Sequence, residues 1–173
     1  MRIKPCNVDI AIIGMSCRFP GAATVEEYWK NLCDGIESIT FFSDQELLDA
    51  GVAPSLIANP NYVKAAPMLR DVEMFDAAFF GYSPKDAALM DPQQRLFLEV
   101  CWEAFENAGY DPTDYPGKVG VLSTGGGVVS TYLLAKLHHA DLPGQTASTA
   151  HINNDKDFLS TRVSFKLDRK SVV

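Results

Sequence analysis

A chain of 173 residues, 47% hydrophobic and 21% charged, has the size and balance of one globular domain and would bury roughly 70% of its unfolded surface. Its net charge of −7 excludes attachment to nucleic acid or anionic membrane through clustered Lys and Arg. No apolar run reaches the length of a membrane span, and the apolar segment near the N-terminus meets Arg18 too soon for a signal peptide, so a cytoplasmic protein is expected.

Residues 1–7 read as a leader. Residues 8–15, a continuous β-branched run ended by Gly14 and Met15, predict a strand buried on both faces and central in a sheet. Pro20 and Gly21 break the chain. Thr24 with Glu27 three residues on forms a capping box for a helix whose apolar face is Tyr28, Trp29, Leu32 and Cys33 and whose stop is Gly35. Ser43 and Glu46 repeat the pattern for a shorter helix with Leu47 and Leu48 on its apolar face and Gly51 at its end. Residues 52–68 carry Pro54, Pro60 and Pro67 and predict an ordered, irregular excursion.

Phe75, Phe79, Phe80 and Tyr82 form an aromatic cluster suited to core packing, followed by Ser83-Pro84 at the start of a short helix. Asp91 and Pro92 then cap a long helix, with Gln94 at the third position completing a capping box. Its apolar residues recur at helical spacing through Leu96/Phe97, Val100/Cys101 and Ala104/Phe105; Arg95, Glu99, Glu103 and Glu106 are expected to face water, and Gly109 closes the helix. Residues 118–123 predict a second strand, which with the first implies a parallel α/β arrangement. Helices are expected over residues 128–139 and from Asn154 or Asp155, the latter burying Phe158, Leu159 and Val163.

Little in the residue pattern points to a metal or nucleotide. Cys6, Cys17, Cys33 and Cys101 are scattered without a C-x-x-C pair and read as reduced structural thiols. His138 and His139 read as helix-end residues, and neither they nor His151 have ligands at metal spacing. Thr124-Gly125-Gly126-Gly127 matches neither G-x-G-x-x-G nor the Lys-containing phosphate loop.

Five blocks, in order, resemble the N-terminal part of a β-ketoacyl synthase (ketosynthase) domain of the modular polyketide synthase type. They are IAIIGMSCRFPG at 10–21, FDAAFFGYSP at 75–84, MDPQQR at 90–95, WEAFENAGY at 102–110 and NDKDFLSTRVSFKL at 154–167. The resemblance implies an α/β, thiolase-like fold of which this chain holds most of the first half, with parallel-type strands and flanking helices. It makes residues 8–167 the N-terminal portion of the ketosynthase domain and residues 168–173 a divergent end. The implied reaction is a decarboxylative Claisen condensation of acyl thioesters. A cysteine takes the acyl group from an acyl carrier protein, and two later histidines promote decarboxylation of the extender. The implied partners are that carrier protein, which brings the phosphopantetheine, and a second ketosynthase subunit.

In the family the nucleophile follows the block matching 154–167, after a strand and a Gly-Pro turn. This sequence instead reads Asp168-Arg169-Lys170-Ser171-Val172-Val173 after Leu167. The resemblance therefore assigns no catalytic, cofactor-binding or metal residue here: Cys17 and Cys101 lie in blocks matching non-catalytic parts, and His151 does not replace the later histidines. The expectation is an incomplete ketosynthase without condensing activity of its own. The alternative is a non-catalytic module that binds a carrier protein or a ketosynthase partner.

Overall fold

The computed structural model describes residues 9–125 and 154–167. The expected helix over 128–139, Cys6, and His138, His139 and His151 lie outside them. The chain divides into two compact units, Cys17–Val72 and a second made of Met1–Ser16 with Glu73–Val173.

In the first unit, Phe19 and Ala22 exchange backbone hydrogen bonds of 2.9 and 3.0 Å across a tight turn. Arg18 Nη1 braces this turn by donating to the carbonyls of Cys17 and Ala23. Gly21 has φ 73°, and a Cβ there would lie 2.5 Å from Ser38 Oγ, so glycine is required on both counts. Helix α1 (Val25–Asp34) is capped by Thr24 and ends at Gly35 with φ 65°. The predicted box is altered at its far end: Glu27 N donates to Thr24 Oγ1, but the Glu27 carboxylate accepts from Ala23 N, one residue upstream of the cap. No residue of α1 is buried. Trp29, Leu32 and Cys33, expected on a covered face, are not enclosed, with Trp29 at 66% and Leu32 at 55% exposure.

Strand β1 (Ile39–Phe41) pairs antiparallel with β2 (Ala65–Pro67), with Ile39 opposite Pro67 and Phe41 opposite Ala65. Between them lie α2 (Asp44–Asp49), whose Ser43–Glu46 box is complete, and one-turn α3 (Pro54–Ile57), started by its proline. The unit is anchored by buried Leu47 and Ile57. Residues 52–68 thus hold a helical turn and a strand that the proline spacing did not reveal.

The second unit contains α4 (Pro84–Leu89), α5 (Pro92–Asn107), a 3-10 turn (Lys156–Phe158) and α6 (Leu159–Leu167). Ser83 caps α4 by accepting from Asp86 N, as its Ser-Pro start predicts. The core is Phe80, Leu98, Val163 and Leu167, with Phe75, Tyr82, Phe97, Cys101, Trp102, Phe105 and Val121 packed around it. The aromatic cluster joins this core. Phe75 stacks on Phe80 at 5.3 Å, and Phe79 sits edge-on to Phe80 and to Trp102 at 4.9 and 4.8 Å.

Neither long predicted strand forms among the described residues. Residues 9–15 carry no strand, and Ile10 and Ile12 are 92% and 79% exposed. Residues 118–123 likewise carry none, and Leu122 is exposed while Val121 leans on the core. The α/β class holds, but the sheet described is a two-stranded antiparallel ribbon rather than a parallel one. A β-branched run specifies what a strand would bury; the strand itself exists only when another backbone pairs with it. What is fixed is the run's C-terminal end. Met15 N donates to Asn107 Oδ1 at 3.0 Å, Ser16 Oγ to Glu103 Oε2 at 2.6 Å, and a Cβ on Gly14 would come within 2.4 Å of the Ala104 carbonyl.

Candidate functional site

The densest polar grouping lies where the end of α4, the start of α5 and residues 154–167 meet. Asp91 is the N-cap of α5 and is 6% exposed; its carboxylate accepts from Gln93 N at 2.7 Å. Gln94 does not complete the predicted capping box. Its side chain turns to residues 155 and 162 instead, with Nε2 donating to the Asp155 carbonyl at 2.9 Å and Oε1 accepting from Arg162 Nε at 3.0 Å. Two stronger offers for that amide outweigh a reach back to the Asp91 N–H, since Arg162 supplies a charge-assisted donor.

Arg95, expected in water, is also buried, at 3% exposure. Its guanidinium donates to the Glu73 carbonyl at 3.3 Å and lies 3.7 Å from the Glu73 carboxylate. The buried stripe of α5 explains both corrections: counting back three and four residues from fully buried Leu98 lands on Arg95 and Gln94. That signal was in the spacing, hidden by the polarity of the two residues.

Residues 154–167 dock through further side chains. Asn154 Nδ2 donates to the Leu89 carbonyl at 2.7 Å, at the C-terminus of α4. Arg162 Nη1 donates to the Tyr82 hydroxyl at 3.2 Å, and Lys166 Nζ stands 3.9 Å from the centre of the Tyr82 ring. Beneath them Leu159, Val163 and Leu167 are buried, whereas Phe158, expected on that face, is 41% exposed because it closes the 3-10 turn before the helix begins.

The thiols fall into different surroundings. Cys17, Cys33 and Cys101 are thiols outside any disulfide. Cys33 is exposed on α1, and burial on α5 pushes the Cys101 thiol up to about 11. Only ~1 in 10⁴ of Cys101 is then thiolate at neutral pH, which makes it a poor nucleophile. No three His, Cys, Asp or Glu side chains among the described residues are grouped to hold a metal ion. An open pocket of about 280 Å³ lies in the first unit, lined by Phe19, Tyr28, Leu32 and Ile36 with Asn31 and Ser38 as its polar groups. No helix among the described residues is long and apolar enough to cross a membrane.

The polar grouping joins residues 154–167 to α4 and α5, and the chain as a whole is similar to known proteins. Residues 7–172 match the β-ketoacyl synthase N-terminal domain. The chain is 46% identical over 163 residues to a phenolphthiocerol/phthiocerol polyketide synthase of Mycobacterium tuberculosis, spanning 90% of this chain and 11% of that protein. It is 45% identical over 116 residues to polyketide synthase PksN of Bacillus subtilis, spanning 66% of this chain and 2% of that one. Among solved structures, ketosynthase twelve of the bacillaene polyketide synthase of Bacillus amyloliquefaciens is similar at 37% identity and a TM-score of 0.69, over 91% of this chain and 27% of that one. The ketosynthase from module 6 of the bacillaene synthase of Bacillus subtilis is similar at 30% identity and a TM-score of 0.60, over 91% of this chain and 23% of that one. The chain spans only about a tenth of the first of these relatives, and its fold is part of the thiolase-like ketosynthase fold. It belongs to the β-ketoacyl synthase N-terminal domain family.

Proposed function

We propose that this chain supplies the N-terminal scaffold of a β-ketoacyl synthase that elongates acyl chains in polyketide assembly, and that these residues alone do not condense. The observation that carries the reading is the family match over residues 7–172. In the reaction, a cysteine thiolate attacks the thioester carbonyl of an acyl group on a carrier protein, and the carrier's phosphopantetheine thiol leaves. The bound acyl group is then attacked by the carbanion formed when the extender loses CO₂. Residues 80–109 serve as support: they hold α6, the segment after which the family carries its nucleophile. The partners are an acyl carrier protein and a second ketosynthase subunit, with the phosphopantetheine brought by the carrier, and the setting is the cytoplasm.

The Cys101 thiol, raised by burial, supports the inactive reading of these residues, since a thiol that stays protonated is a weak acceptor of acyl groups. The test is incubation with a radiolabelled acyl thioester. No stable label on the chain is expected. Label that persists in wild type and disappears in Cys17→Ala, Cys33→Ala or Cys101→Ala overturns the reading.

A further inference from the structure

We propose that Gln94 is the positioning residue that sets where residues 155–167 sit, one amide holding the segment at two points. The proposal rests on the ketosynthase reading for its purpose, since the chain leaving α6 is where that family carries its nucleophile. Gln94 is 3% exposed in the first turn of α5. Its Nε2 holds the Asp155 carbonyl, just before the 3-10 turn, and its Oε1 holds Arg162 Nε, within α6. These two points bracket the junction at which the 3-10 turn becomes α-helix. Arg162 carries the register onward by donating from Nη1 to the Tyr82 hydroxyl.

The apolar side of α6 cannot set this register alone. Leu159, Val163 and Leu167 recur every four residues and are all nearly fully buried, and such a stripe retains most of its burial energy after a small slide or rotation. An amide with a fixed donor and a fixed acceptor is satisfied in one arrangement and is costly when half satisfied inside a protein. Apolar burial therefore holds α6 down, and Gln94, holding two points of the segment where Asn154 and Lys166 each hold one, sets where.

Amide hydrogen exchange on the full chain tests this. Gln94→Ala is expected to accelerate exchange of the amides at 159–167 about tenfold relative to those of Leu98–Asn107, the equivalent of roughly one net hydrogen bond. Arg162→Ala should likewise accelerate 159–167, and adding Gln94→Ala to it should cause no further acceleration there, only a loosening of 156–158 through the lost bond to the Asp155 carbonyl. Gln94→Glu keeps an acceptor for Arg162 but removes the donor to Asp155. It should loosen residues 156–158 while 159–167 stay within about threefold of wild type. Equal acceleration in α5 and α6, additive effects at 159–167 in the double variant, or Gln94→Glu as damaging to α6 as Gln94→Ala would overturn the proposal. Should Gln94→Ala not fold, the Gln94→Glu pattern decides on its own, uniform acceleration counting against the proposal. Amide exchange and acyl labelling are independent readouts, so the clamp and the functional reading fail separately.

Discussion

Helices α1 and α5 begin alike, each with an oxygen-bearing N-cap whose side chain accepts a backbone N–H. Both also carry an apolar face, and α1 is the more sharply amphipathic of the two. Yet α1 buries no residue, whereas α5 buries Gln94, Arg95 and Leu98 and carries the core of its unit. Amphipathicity reports how well a helix separates its residues, and burial reports whether another element lies against the separated face. For α5 that element is α6, which lies far along the sequence; within its own unit α1 meets the turn at Phe19, which stacks on Tyr28 at 4.2 Å, and leaves an open pocket beside Leu32.

Substitutions at the centres of the two faces should break the symmetry most. Leu98→Ala, at a position with no exposure, is expected to cost about 2–5 kcal/mol in urea unfolding. Trp29→Ala, at 66% exposure, should stay within about 0.5 kcal/mol despite removing a larger side chain. A comparable cost at Trp29 would mean that α1 has a cover after all. Gly14→Ala comes next. Its new Cβ would meet the Ala104 carbonyl at 2.4 Å and the Ala108 side chain at 2.9 Å, and about 1–3 kcal/mol should be lost as residues 9–16 are pushed off α5. Thermal melting checks this against Gly51→Ala, where the added carbon meets nothing within 4 Å and only the left-handed backbone, φ 83°, resists it.

The caps should restore the symmetry. Asp91→Ala and Thr24→Ala each remove an acceptor for one N–H, and both should cost about 1 kcal/mol, measured as loss of helical ellipticity on heating. A large difference between them would show that capping energy depends on burial. The last effect is confined to alkaline solution. Cys101 has its thiol raised from an ordinary value of 9.0 to about 11 by burial. The unfolded chain therefore releases that proton at lower pH than the folded one. The stability linked to it is complete below about pH 9 and is lost as pH rises through about 11. Cys101→Ala should flatten that part of the stability-pH curve without changing its shape below about pH 8.

What could be read from sequence follows the range of the interaction. Caps and stops at Thr24, Ser43, Ser83 and Asp91, and the glycines at 35, 51 and 109, involve neighbours a few residues away, and each is where the pattern put it. The strands expected at 8–15 and 118–123 needed backbone partners, about which periodicity is silent. The ribbon β1–β2 was missed for the converse reason, since three residues on either side of a helical excursion are too few to show alternation. The polar scaffold was half legible. Gln94 and Arg95 lay on the buried stripe by spacing, but their chemistry argued for solvent, and only the arrival of Arg162 and Glu73 reverses that argument.

The ribbon also guards its own edge. Phe42 N donates to the Lys64 carbonyl at 2.8 Å, which makes that pair the hydrogen-bonded kind. Alternation then makes Thr40 with Ala66 bonded and Ile39 with Pro67 non-bonded. The nitrogen of Pro67 accordingly points away from β1, toward the outer edge of the ribbon. An incoming strand would find no N–H there, so Pro67 leaves the internal ladder intact while removing a donor that edge-to-edge polymerisation needs.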